Sequence, residues 1–243
     1  MSSVTLIYKC IDMKNSILIS LGIALSGLLL GIFIRSAAGV IVDSRRTVEV
    51  RGLSEREVTA NKVTWPIVYK IVGNDLQSLY STYEKNNKTV VAYLNEHGVS
   101  ADEISVNAPD ITDNQAQGYS SNAPYRYNLT GVVTVTSDKV ESVQKLINSQ
   151  GELLKQGIAV TASDWNYKTI YEYTALNDIK PEMIADATNN ARKAADKFAE
   201  DSGAKVGRLL TAHQGQFSID DRDPYTPYIK RIRVVTSLQY EIK

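Results

Sequence analysis

Three aspartates in one short stretch, Asp220, Asp221 and Asp223, are the residues best suited by type to do chemistry. Carboxylate oxygens match a hard cation such as Ca²⁺. Their spacing does not follow an EF-hand loop and Arg222 stands among them, so a solvated turn is the expectation. The chain has 2 histidines. His97 ends an apolar-periodic segment, and a helix C-terminus favours the protonated ring. A protonatable switch and an exposed capping residue are its two readings. His213 has no Cys, Asp or Glu at ligand spacing, whereas a zinc site takes three or four ligands. A carboxylate pair for glycoside hydrolysis has only the presence of acids behind it. There is no Gly-x-Ser-x-Gly elbow, no HExxH pair and no phosphate-cradling glycine loop. Cys10 is the one cysteine, which excludes an intrachain disulfide or a multi-thiolate metal site. The expectation is a non-enzymatic protein with no catalytic set, no cofactor and no metal.

Tyrosine is the unusual residue, at 14 copies against 3 Phe and 2 Trp. Tyr119, Tyr125, Tyr225 and Tyr228 lie in or beside two turn-rich stretches that also carry Pro124, Pro224 and Pro227. With Asp220, Asp221 and Asp223 they make two candidate interaction loops, since loops carry binding and tyrosine is enriched at interfaces. The competing reading is that the rings pin long loops to a sheet. Lys+Arg and Asp+Glu are both 27. A neutral chain removes the usual electrostatic argument for nucleic acid, so no nucleic-acid partner is expected, while a local basic patch stays open. The Asn128-Leu129-Thr130 sequon falls in a strand-like segment and is read as chance.

These residues depend on what comes before them. Residues 1–15 are a tail, and Ser16–Ile34 is an uncharged run between Lys14 and Arg35. As a helix it spans roughly 28 Å, close to the hydrocarbon thickness of a bilayer. A transmembrane anchor in the lipid bilayer is expected. Cleavage after the small residues Ser36-Ala37-Ala38, releasing a soluble exported protein, is the alternative, although secretory apolar cores run shorter. Met13-Lys14-Asn15 resembles a signal start, so translation from Met1 or from Met13 stays open. The basic residues Arg35, Arg45 and Arg46 after the run lean the domain toward the cytoplasm; the short tail leans it outward. Residues 35–47 read as a linker.

From Val48 the pattern is α+β. Strands are expected at Val48–Val58 and at Lys62–Val72, where Pro66 suggests an edge or a bulge. A helix follows over Leu76–His97, its apolar stripe broken at Asn87 and stopped by Gly98. A strand begins at Glu103–Asp110, 112–124 is a loop, and Tyr125–Thr136 is the clearest strand. Lys139–Ser149 is a short helix, Gly151 to Gly157 a break, and Ile158–Thr174 strand-like. The helix Pro181–Ser202 has Pro181 in its first turn and Met183, Ile184, Ala187, Ala191, Ala194, Ala195 and Phe198 inward. Strands at Val206–Phe217 and Ile229–Ile242 flank the loop Ser218–Tyr228. The order ββαββαβαββ predicts antiparallel or mixed sheets with helices packed on one face.

Three blocks in order resemble the SIMPL-domain family of bacterial envelope proteins. They are Val48-Glu49-Val50-Arg51-Gly52 through Ala60-Asn61, then Leu94 to Ile104 with Gly98-Val99, and Ala187 to Leu209 with Ala191-Arg192-Lys193-Ala194-Ala195, Gly203 and Gly207. The family often has Pro-Asp or Ala-Asp where this chain has Ala60-Asn61. The resemblance covers 48–243 and implies an extracytoplasmic domain, self-assembly in some members, links to oxidative or envelope stress, and no transferable catalytic residues. It favours an inner-membrane, single-pass protein with its domain facing the periplasm. Function is then expected through a homo-oligomer or an envelope protein partner. The alternatives are a ligand-sensing domain signalling through a partner membrane protein, and an enzyme with an unrecognised site.

Overall fold

The computed structural model describes residues 22, 25–35, 46–116, 124–161 and 166–243. The tail 1–15 with Cys10, the first part of the expected anchor, most of the linker and Tyr119 lie outside these residues. Residues 25–35 are helical (α1), with Leu25, Leu28, Leu29, Leu30, Ile32, Phe33 and Ile34 all exposed. Among the described residues no helix is long and apolar enough to cross a membrane. The fold is α+β and every described strand pairing with a register is antiparallel.

The chain divides into two compact units, one of Met1–Leu53, Ala187–Gly215 and Thr236–Lys243, the other of Ser54–Asp186 and Gln216–Val235. In the larger unit, β2 (Lys62–Gly73), β3 (Ile104–Val106), β4 (Asp110–Asp113), β5 (Tyr127–Ser137) and β6 (Ile170–Glu172) form one sheet of order β3-β5-β2-β6, with β4 also on β5. The β2–β5 ladder runs unbroken from Val63↔Ser137 to Gly73↔Tyr127. Alternation puts Val63, Trp65, Ile67 and Tyr69 on one face of β2, where they are buried with Leu129, Val133 and Val135 of β5. Helix α2 (Leu76–Glu96) contributes Leu79, Tyr83, Val90 and Leu94 to the same core, α3 (Val140–Ser149) Val143 and Leu146, and α4 (Gly151–Lys155) Leu153. Asp75 caps α2 by accepting the Ser78 amide at 2.7 Å, and Gly98 follows its end at φ 86°. Pro66 pairs with Thr134 of β5, and on its other side the described pairings of β2 are the short β6 ladder at Lys62–Thr64 and the isolated Tyr69↔Val160 bridge.

The smaller unit holds the first half of β1 (Thr47–Thr59), α5 (Leu176–Asp201) from Ala187 onward, β7 (Val206–Gln214) and the end of β9 (Ile229–Ile242). Here β9 lies between β1 and β7. Val48, Ala191, Ala195, Leu238 and Tyr240 form the core.

Five expectations are corrected. Gly151–Lys155 is a helix and not a break, because Leu153 is wholly buried there and Glu-Leu-Leu-Lys favours a helical turn. Ile158–Thr174 yields only the Val160 bridge and β6; Ile158 packs into the core and its amide closes back on Leu153 O at 3.0 Å, so its apolar character serves packing and not a ladder. Helix α5 begins at Leu176, which makes Pro181 its sixth residue and not a first-turn position. Its inward stripe is Met183, Ala187, Ala191, Ala195 and Ala199, while Ala194 and Phe198 are exposed. A four-residue spacing of small side chains gives a narrow ridge, and the neighbouring row turns away to solvent. Finally, the first residues of each expected loop are strand: Asp110–Asp113 pairs β5, and β8 (Ser218–Asp221) pairs Lys230–Arg233 of β9.

Candidate functional site

The hairpin between β8 and β9 is closed by backbone bonds from Arg222 N to Ile229 O and from Ile229 N to Thr226 O, both 2.9 Å. Inside it the Asp223 carboxylate organises the turn. One oxygen accepts the amides of Tyr225 and Thr226 at 2.8 Å each; the other accepts the Thr226 hydroxyl and Arg222 Nε. The Thr226 hydroxyl, then Arg222, hold the carboxyl down to about 2. Four donors fill the acceptor positions a carboxylate offers. Arg222 also lies 3.5 Å from Glu57, and its carbonyl accepts Arg231 Nη2 at 2.5 Å. Asp221 is paired with the buried Lys230, while Asp220 is exposed on β8. Two of the three aspartates therefore hold the hairpin together, and among the described residues no group of three or more His, Cys, Asp or Glu is placed to hold a metal ion.

The two tyrosines of this hairpin differ. The Tyr228 carbonyl accepts the Ala60 amide at 2.8 Å, and its ring meets Tyr171 edge-on at 6.2 Å against the core. Tyr225 is 91% exposed at the tip. One ring pins the loop and the other is presented by it.

The other candidate loop is bracketed at its neck. Arg126 donates Nε and Nη2 to Asp113, with Nη2 at 2.9 Å, and this pair lowers the Asp113 carboxyl below its ordinary range. The Asn114 side-chain amide donates to Tyr125 O at 2.9 Å, and the Tyr125 ring is 46% exposed. This neck sits at the Gly73↔Tyr127 end of the β2–β5 ladder, whereas Tyr228 joins Ala60 just before β2 begins. Twelve or so residues of strand separate them by roughly 40 Å. Among the described residues, the neck of one loop and the base of the other therefore lie at opposite ends of β2.

His97 does more than end α2. Its Nδ1 lies 2.7 Å from Tyr93 O, its ring stacks 4.3 Å from Tyr93, and Nε2 is 3.6 Å from Glu152 of α4. His213 is exposed on β7. A depression of about 540 Å³ follows one face of α2 along Ser81, Lys85, Lys88 and Tyr93; its polar lining comes almost wholly from that helix. Asn61 went unnoticed in the sequence as a structural residue: its Oδ1 accepts both the Thr174 amide and hydroxyl, at 2.8 and 3.1 Å. Only its place in the first block pointed to it.

An α+β protein with antiparallel sheets and a hairpin fixed by one aspartate is the class these features define. Residues 48–234 match the SIMPL family, described as a protein of unknown function (DUF541), and the chain belongs to that family. No curated protein matches it.

Proposed function

We propose that this SIMPL-family chain is a bilayer-tethered, non-enzymatic binding module of the bacterial envelope, its domain outside the cytoplasm. It contacts a protein partner, a second copy included, through the Tyr225 hairpin. The observation that carries this reading is Tyr225 itself, 91% exposed on a turn whose geometry four hydrogen bonds to Asp223 define. A large ring on a preorganised turn loses little conformational entropy on binding, which is what an interface anchor requires. The tether is supported by α1, whose Leu, Ile and Phe side chains are exposed and share the helix with Ser26, Gly27 and Gly31, so that no charge interrupts it before Arg35. An interfacial helix would keep one polar face; a helix apolar all round suits lipid.

The test is a photo-crosslinking residue placed at position 225 of the full chain in cells. A discrete crosslinked product, lost on Asp223→Ala, is expected. A residue at 225 that yields no product, while the protein is present in the membrane fraction, would overturn the binding reading. A reporter fused after Lys243 that is active only in the cytosol would overturn the outward orientation.

A further inference from the structure

We infer that the smaller unit carries a basic rim that rests on anionic phospholipid headgroups; this relies on the tether proposed above. Three strand ends meet at that rim. Arg46, the residue before β1, accepts the Ile242 amide through its carbonyl at 2.8 Å, and Lys205 and Lys243 exchange two backbone bonds of 2.9 Å. The start of β1, the end of β9 and the start of β7 are thus held level, and Arg46, Lys205 and Lys243 are all exposed. Arg208 adds a fourth cation, 78% exposed and only loosely engaged with Glu241 at 3.6 Å. Glu241 and a carboxylate at Lys243 offset two of these four charges, and Glu200 and Asp201, at the adjoining end of α5, are both paired with Lys197, at 3.2 and 2.8 Å, so the rim keeps a positive excess.

The rim is also where the chain enters from the lipid side. Arg46 lies eleven positions beyond Arg35, the last residue of α1, a separation that cannot exceed about 40 Å however the chain runs. Electrostatic attraction between exposed charges fades over about 8 Å at physiological ionic strength. A basic rim on a free protein would seldom come within that range of a bilayer, but one on a short tether revisits it continually, at an effective concentration in the millimolar range. Clustered Lys and Arg next to a membrane segment are the pattern that attracts anionic lipid. The complementary chemistry is a phosphodiester headgroup with net negative charge, in a bilayer and not free in solution.

The test uses the full chain with Cys10→Ser and Ser202→Cys, nitroxide-labelled at 202, in vesicles carrying a headgroup-tethered nickel chelate. One set is phosphatidylcholine alone; the other contains about one third phosphatidylglycerol. The expected result is broadening of the nitroxide signal at least about threefold greater in the anionic vesicles. Raising the salt to about 0.5 M, or combining Lys205→Gln with Lys243→Gln, should abolish the difference. Salt-resistant flotation with both vesicle types should persist throughout. Equal broadening in both vesicle types, with flotation retained, overturns the rim and leaves the tether standing. Failure to float with either type overturns the tether and the rim with it.

Discussion

A Cβ placed on Gly52 would lie 2.3 Å from the backbone nitrogen of Ala191 and 1.9 Å from the carbonyl oxygen of Ala187. Strand β1 and helix α5 therefore touch backbone to backbone, and the absence of a side chain at 52 is what lets them. Gly52→Ala forces two main chains apart with no flexible side chain to give way. Overpacking costs about 1–3 kcal/mol, and this contact belongs at the upper end. Thermal unfolding should show Tm lowered by roughly 6–12 °C. An unchanged Tm would mean that the strand and helix are not in this contact.

That contact explains the first and third blocks of the family resemblance. Val48-Glu49-Val50-Arg51-Gly52 and the Ala187–Ala195 stretch lie far apart in sequence, yet the glycine of one receives the alanines of the other. Alternation in β2 and β5 and the stripe of α2 were legible because each is a local period. The alanine ridge was only half legible: spacing offered Ala194 and Phe198 as well, and it is the Gly52 contact that selects Ala187 and Ala191, while Ala195 is selected by the core around Val48 and Leu238. Helix α4 and strand β8 were hidden for a similar reason. Four or five residues carry too little pattern, and their partners, the core around Leu153 and the Lys230–Arg233 segment of β9, are supplied by the fold. Of the candidate loops, the sequence identified the tyrosines; which ring pins and which is presented depends on contacts with Ala60 and Tyr171 that no spacing reveals.

Asn87 interrupts the apolar stripe of α2 because its Oδ1 accepts the Tyr69 hydroxyl at 2.7 Å inside the core. Burial raises the Tyr69 hydroxyl well above its ordinary range, so it remains a donor at all working pH. Tyr69→Phe strands a buried amide oxygen and should cost about 1–3 kcal/mol. Adding Asn87→Leu removes the stranded group. The double variant should therefore be more stable than the sum of the two single effects by about 1 kcal/mol or more in urea unfolding. Strict additivity would show that the pair does not interact.

Asn61 stands where the family often has aspartate, and its Oδ1 does work that a carboxylate oxygen also does, accepting from Thr174 N and Oγ1. Asn61→Asp should leave stability within about 0.5 kcal/mol near neutral pH. Asn61→Ala should lose about 0.5–1.5 kcal/mol. Denaturant midpoints for the two variants decide it; equal losses would remove the acceptor role.

The Asp223 carboxyl, held down to about 2 in the folded hairpin against an ordinary value of 3.8, gives a pH prediction with a definite sign. A group whose folded value is depressed contributes fully above its unfolded value and loses that contribution as pH falls through the folded one. The hairpin should therefore keep its order down to about pH 4 and lose it toward pH 2. The carboxyl carbon resonance of Asp223 should titrate near 2, and Thr226→Val, which deletes the largest cause, should move it toward 3.8. A wild-type midpoint already near 3.8 would show that the carboxylate is not engaged.

Tyr225 and Tyr228 separate presentation from pinning most sharply. Tyr225→Ala removes a ring that is 91% exposed, so stability should change by no more than about 0.5 kcal/mol. Tyr228→Ala removes a ring packed on Tyr171 and the main core, and should cost at least about 1–2 kcal/mol. The functional effects should run the other way. With the crosslinker moved to the neighbouring exposed position 224, Tyr225→Ala should abolish the crosslinked product from a fully folded protein. A conservative Tyr228→Phe, which keeps the ring against Tyr171, should leave that product in place. If Tyr225→Ala instead lowers Tm as much as Tyr228→Ala does, the tip ring is itself a structural pin, and the hairpin has no free aromatic to offer a partner.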